Sequence, residues 1–373
     1  MNVLSLFDGM SCGQIALHEL GMKVDNYFAS EIDRYAIAQT QLNFPNTIQL
    51  GDVRNVHASD LPKIDLLIGG SPCQGFSFAG KRLNFNDPRS VLFFEFLRIL
   101  KECREYNPDL LFLLENVRMK REYEMIISDA LGLQPVCINS ALVSAQNRVR
   151  LYWTNIRTRF VGLFAEAYTD IPLPEDKGVF LCDVLENTVS DKYKISETVK
   201  NNLMEHKQRN KKAGRNFGMS VRFADEKSNA VMVKGKGMYD LIIQRPRGDN
   251  NGGVFCDKTP TLTSNAWEQN NLLLSREVRQ LNPSDESNGR QPYQQNRIYD
   301  VVGISPELCC SHAGFSPIIL IGRIIRRLTP TECARLQTIP DWYKWECSET
   351  QQYKMLGNGW TVDVIKHIFS FIK

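Results

Sequence analysis

The sequence predicts an α/β protein: a doubly wound, mainly parallel sheet, with a smaller β- and loop-rich module inserted before the chain returns to it. Three observations carry this. Short continuous apolar runs alternate with helical patterns up to about residue 155. A glycine-containing turn follows the first run. Regular periodicity is then lost from about Tyr168 until about Arg326, after which it resumes.

Val3-Leu4-Ser5-Leu6-Phe7 is the first strand. It enters Asp8-Gly9-Met10-Ser11-Cys12-Gly13 and then a helical spacing of Ile15, Ala16, Leu17 and Leu20, with Gly21 as a C-cap. Strand, glycine turn and helix open a nucleotide-binding α/β unit, in which turn amides and the helix N-terminus face a ligand. Many such turns carry two glycines for geometry alone. Residues 24–30 form a second strand closed by Glu31-Ile32-Asp33. An acidic residue about 20 positions after the glycine turn suits a pair of ribose hydroxyls. A helix over 35–42 follows. Ile48-Gln49-Leu50-Gly51-Asp52-Val53 is a third strand with Asp52 at its tip, where an N-cap or solvated turn role is the plainer alternative.

Ile64-Asp65-Leu66-Leu67-Ile68 reads as a strand buried on both faces. Gly69 and Gly70 break it, and Pro72 stiffens the approach to Cys73 at the carboxyl edge, where open α/β sheets bind their ligands. Cys73 is thus a candidate nucleophile. The usual fate of a free cysteine is burial as a small apolar residue, but polar Ser71, Gln74 and Ser77 are unusual neighbours for a packing residue. Residues 78–89 read as a mobile surface loop, 90–100 as a strongly apolar helix, and 110–114 as a buried strand delivering Glu115-Asn116-Val117 to the edge that holds Cys73. A carboxylate there is costly without a partner or a task. Residues 136–143 form another strand, and Gln146-Asn147-Arg148-Val149-Arg150-Leu151-Tyr152-Trp153 places two alternate arginines on one face of an extended segment.

Pro172 and Pro174 mark a linker into a region with a short basic run (Lys200, Lys207, Arg209, Lys211, Lys212, Arg215). Three loosely similar strand-loop pieces follow at 227–231, 258–263 and 303–308. A basic, loop-rich module beside a nucleotide-binding unit favours a polyanion groove, although solvated surface explains any single residue equally well. The tail opens a capped helix at Thr329-Pro330-Thr331-Glu332, is interrupted at Leu356-Gly357-Asn358-Gly359-Trp360-Thr361-Val362, and ends in an amphipathic helix over 364–371.

Composition narrows the function. The net charge of +3 confines any nucleic-acid contact to a local patch. No apolar run reaches the roughly 20 residues of a membrane span, and the start lacks a signal-peptide pattern, so the expectation is a cytoplasmic protein. The 10 cysteines contain no C-x-x-C pair and no Cys/His cluster at zinc spacing, and are expected to be free thiols. No metal site is expected.

The ordered set Phe7-Asp8-Gly9, Glu31, Asp52, Pro72-Cys73-Gln74, Glu115-Asn116-Val117, Gln146-Asn147-Arg148-Val149-Arg150, Arg327-Leu328-Thr329, Arg335-Leu336-Gln337 and Gly357-Asn358 resembles the C5-cytosine-specific DNA methyltransferases of bacterial and phage type. The resemblance covers about residues 1–155 and 326–373. It implies a Rossmann-like, S-adenosylmethionine-dependent catalytic unit over 1–169 and 326–373, with target recognition in 170–325. It assigns Cys73 as nucleophile at C6 of cytosine, Glu115 at N3 and the exocyclic amine, and Arg148 and Arg150 on the base. For the cofactor it implies Phe7, Asp8, Gly9, Gly13, Glu31, Ile32, Asp52, Val53, Pro72, Leu92, Asn358 and Val362. For the base and DNA it implies Ser71, Gln74, Asn116, Gln146, Lys211 and Arg215. Duplex DNA is the implied partner and the monomer the implied state; whether a restriction endonuclease accompanies it is open, as is a bacterial or a phage-infected host.

Two features depart from the family's F-x-G-x-G-G turn: Ser11 and Cys12 stand where glycines are usual, and Ile32 replaces an often aromatic residue. An RNA methyltransferase of the same fold, an idle DNA-binding relative and a dinucleotide oxidoreductase are the alternatives. The idle relative would be expected to lack Cys73 or Glu115.

Overall fold

The computed structural model describes residues 1–71, 91–163, 165–193 and 324–372, together with strand segments 241–244, 253–255, 271–274, 298–300 and 318–321. Cys73, Pro72, Gln74, Lys211, Arg215, the 78–89 loop and the three strand-loop pieces lie outside the described residues.

One seven-stranded sheet organises the main body. Its strands are β1 (Asn2–Leu6), β2 (Asn26–Ser30), β3 (Ile48–Gln49), β4 (Leu66–Gly70), β5 (Leu111–Val117), β6 (Val136–Asn139) and β7 (Val149–Thr154), in the order β3-β2-β1-β4-β5-β7-β6. The first five run parallel, with Leu4 opposite Phe28 on one side and Leu67 on the other, and Gly70 opposite Glu115. The order reverses between β1 and β4, which opens a ligand crevice above their carboxyl ends. Only β7 is antiparallel, to β5 and β6 alike. Chain length dictates this. Between Asn139 and Val149 the connection is too short for the crossover of a dozen or more residues that parallel pairing needs. Accordingly β6 stops at Asn139 instead of continuing to Val143. The Asn139 Oδ1 accepts from the Ala141 N–H (3.1 Å) and the Arg148 N–H (3.0 Å), tying both ends of the turn.

The helices are α1 (Cys12–Glu19), α2 (Arg34–Asn43), α3 (Val91–Tyr106), α4 (Arg121–Leu131), α5 (Leu181–Val184), α6 (Pro330–Leu336), α7 (Glu349–Asn358) and α8 (Val362–Phe369). The pleat sends neighbouring strand residues to opposite faces. Val3, Ile68, Leu113 and Tyr152 meet Ile15 of α1 and Val364, Ile365, Ile368 and Phe369 of α8. Leu4, Leu67, Leu114 and Trp153 meet Phe93, Phe96, Ile99 and Leu100 of α3. Each fully buried side chain of this size contributes roughly 1.5–3 kcal/mol. α3 outruns its apolar stretch because Arg98 spans Glu95 (2.8 Å) and Glu102 (2.6 Å) on the next turns.

Ile171, Leu181 and Val184 lie beyond the 169/170 division drawn from the sequence, yet they are buried in the core that holds α8. Lys177 also pairs with Asp363 at 2.5 Å. Among the strand segments, 241–244 pairs antiparallel with 253–255 and 271–274, and 318–321 joins 298–300 to 324–327. At the tail, the capping box is present: Glu332 N–H donates to Thr329 Oγ1 (3.2 Å) and Thr329 N–H to Glu332 Oε2 (2.8 Å).

Candidate active site at the carboxyl edge of the sheet

Two turns meet above β1 and β2. Phe7 (φ 59°), Gly9 (φ 59°) and Ser11 (φ 66°) alternate in the left-handed region. Ser11 therefore keeps a glycine-like conformation where glycine is usual, at the cost a Cβ brings there. Glu31 fastens this turn to its own: Oε2 accepts from Gly9 N–H (2.8 Å), and Oε1 from Ile32 N–H (2.8 Å) and Asp33 N–H (2.8 Å). Ile32 is 74% exposed at this edge, and the space where a Cβ would stand on Gly9 or Gly51 is open. Gly13 is the reverse case: a Cβ would lie 2.3 Å from Ile68 Cδ1. The turn thus sits tightly on the sheet and opens outward.

Asp8 points inward. Its Oδ1 accepts from the Tyr27 hydroxyl at 2.9 Å, while Oδ2 is buried with no partner among the described residues. Burial raises its pKa to about 6, with the Glu31 charge adding to the rise. The Cys12 thiol, raised to about 12 by burial, is a packing group and not a nucleophile. Asp52 accepts from Arg54 N–H (3.0 Å) and pairs with the Arg54 guanidinium, which holds it at about 2.

These residues fit S-adenosylmethionine. The open ground at Gly9 and Gly51, the exposed apolar Ile32 and the acceptors of Glu31 suit a nucleoside, as the resemblance expects. Val53 and Val362 are buried, Leu92 is partly buried and Asn358 is exposed at the end of α7.

The second half of the site lies on β4, β5 and β7. Glu115 sits opposite Gly70 on β4 and Tyr152 on β7, while Arg150 pairs with Val117. Glu115 is 8% exposed. Arg150 Nε lies 2.8 Å from its Oε1, and the Trp360 indole Nε1 donates to its Oε2 at 3.2 Å. Arg148, two residues earlier on the same face, reaches the tail instead: its Nη2 donates to Gly359 O (2.9 Å) and Nη1 to Gly357 O (3.4 Å). The two arginines expected on a base thus also contact different protein groups, Arg150 the acid and Arg148 the turn after α7.

Asn116 Nδ2 donates to the buried Ser71 Oγ (3.1 Å), fixing the last described residue before Cys73. Gln146 is fully buried, and neither its Oε1 nor its Nε2 has a partner among the described residues. Each such group costs about 1–3 kcal/mol until a polar ligand meets it. No group of three potential metal ligands occurs among the described residues, and no helix described is long and apolar enough to cross a membrane.

Neither Trp360 nor Gly70 is expected at the site from sequence: Gly70 reads as breaking the strand, whereas β4 continues through it. The one available signal for Trp360 was an aromatic residue in an otherwise small and polar break before the last helix.

The chain is 28% identical over 377 residues to the type II methyltransferase M1.ScrFI of Lactococcus lactis subsp. cremoris, covering 98% of this chain and 76% of that relative. It is 27% identical to the orphan methyltransferase M.SPRI of Bacillus phage SPR, covering 99% and 96%. The fold is similar to that of the S. pombe Dnmt2 methyltransferase, with a TM-score of 0.57 and 17% identity over 100% of this chain and 98% of that one. The family model for C-5 cytosine-specific DNA methylases matches residues 1–373, and with the sheet, the turn and the acid in place the chain belongs to that family of enzymes.

Proposed function

We propose that the protein methylates C5 of a cytosine extruded from duplex DNA, through a transient bond between Cys73 and C6 of the ring. The observation that carries this reading is the Glu115 carboxylate, bound on both oxygens at the end of β5, beside a strand that leads through Ser71 to Cys73. S-adenosylmethionine, when bound, supplies an electrophilic methyl carbon and leaves as a thioether.

Carbon 5 of cytosine is a poor nucleophile until something adds at carbon 6. The Cys73 sulfur forms that bond, and the C5=C6 electron pair moves into the ring toward N3. Glu115 takes up the charge there by a hydrogen bond or proton at N3 and by accepting from the exocyclic amine. The enamine so formed bonds to the methyl carbon through C5. Loss of the C5 proton then restores the double bond and expels the sulfur. Arg150 holds Glu115 for this work, and Arg148 holds the turn that closes the site. Glu31 would take the ribose hydroxyls and Ile32 a face of the adenine. Extrusion of the base costs a few kcal/mol, which phosphate contacts offset. The intervening stretch up to about residue 325, less the 171–186 segment that packs with the main body, would supply sequence recognition.

Bisulfite sequencing of DNA from cells expressing the protein tests the reading. Methylcytosine is expected in one sequence context with the wild type and in none with Cys73→Ser; methylation by that variant would remove Cys73 from the mechanism.

A further inference from the structure

We propose that Trp360 is a positioning residue for the reaction: its indole N–H fixes the orientation of the Glu115 carboxylate, through the oxygen other than the one Arg150 binds. This rests on Glu115 acting at N3 of the cytosine. A glutamate anchored at one oxygen still rotates about its last bond, and a second donor from a different part of the chain removes that freedom. Arg150 Nε at 2.8 Å from Oε1 is the first anchor, and Trp360 Nε1 at 3.2 Å from Oε2 is the second.

The surroundings are built for this contact. A Cβ on Gly70 would stand 2.9 Å from Trp360 Nε1 and 3.1 Å from Glu115 Oε2, wedged between donor and acceptor. A Cβ on Gly13 would stand 3.5 Å from the far edge of the same indole. The turn bearing Trp360 is held by polar groups as well as by packing. Arg148 Nη2 binds Gly359 O (2.9 Å), Gln337 Nε2 binds Leu356 O (2.6 Å), and Thr361 Oγ1 donates to Gln337 Oε1 (2.9 Å). Filling a core needs the ring of Trp360; it does not need the N–H aimed at a carboxylate.

Three measurements on the full chain test this. Tritium release from DNA labelled at cytosine C5, without cofactor, reads addition at C6 and the proton exchange at C5 that follows it, with no methyl transfer. Methyl incorporation reads the whole reaction, and calorimetry with S-adenosylhomocysteine reads cofactor binding. Trp360→Phe should lower both rates by about 10-fold, the worth of one charge-assisted hydrogen bond, while cofactor affinity falls by less. In a Glu115→Gln background the same change should cost nothing further, because the indole acts through that carboxylate. Gly70→Ala keeps the indole but displaces it, and should reproduce the loss if Trp360→Phe does not fold. Losses that multiply in the double variant, or tritium release at the wild-type rate in Trp360→Phe or Gly70→Ala, would overturn the proposal alone. A Glu115→Gln enzyme at the wild-type rate would instead overturn the role of Glu115, and this proposal with it.

Discussion

Arg326 and Glu332 meet as a two-pronged pair, Nη1 at 2.7 Å from Oε2 and Nη2 at 2.6 Å from Oε1, with the glutamate fully buried. Glu332 Oε1 also accepts from Glu186 N–H at 2.9 Å, and Thr329 Oγ1 donates to the Glu186 carboxylate. The pair therefore joins the chain just before residue 190 to the chain just after 325, at the two ends of the long intervening stretch.

Removing one partner leaves a buried charge without compensation. Arg326→Met is expected to destabilise the protein by about 3–5 kcal/mol, whereas Arg326→Met with Glu332→Leu should recover much of that loss. Urea unfolding of the three proteins checks this; a single variant as stable as wild type would contradict it.

Asp8 gives a pH dependence of definite sign. Its folded pKa of about 6 stands above the ordinary 3.8, so between these values the folded protein keeps a proton that the unfolded chain has lost. Stability from this group is full below about pH 4 and is lost as pH rises through 6, by up to about 3 kcal/mol. Asp8→Asn should flatten that part of the profile. Chemical unfolding at half-unit steps from pH 4 to 7 measures it.

Gly13→Ala would drive a methyl group into Ile68 Cδ1, with 2.3 Å between the two carbons before any shift. Overpacking of this kind costs about 1–3 kcal/mol. Adding Ile68→Val deletes the colliding carbon, so the double variant should melt higher than Gly13→Ala. Differential scanning calorimetry separates them.

Glu31→Gln leaves one acceptor oxygen for three backbone N–H groups and puts an amide where Oε2 or Oε1 now accepts. A stability loss of about 1–3 kcal/mol is expected. S-adenosylhomocysteine binding should weaken by about 10-fold if the same carboxylate meets the ribose. Calorimetry on the folded variant reads the second effect apart from the first.

Local chemistry made much of this legible. Thr329 and Glu332 announce their capping box by spacing alone, and Glu115 is conspicuous because an acid seldom ends a buried strand. Partners distant in sequence were not legible. Periodicity lapses after Tyr168, so nothing local says that Ile171, Leu181 and Val184 are buried, still less that α8 covers them. Arg148 and Arg150 share a face by strand geometry, yet nothing local tells one to seek Gly359 and the other Glu115. The antiparallel course of β7 could have been reached from the shortness of the 140–148 connection.

The covering of α1 by α8 has a consequence for cooperativity. Helices from widely separated parts of the sequence share one apolar cluster, so neither hides its oily flank without the other. The opening strand and helix are therefore expected to unfold together with α8 and not piecemeal.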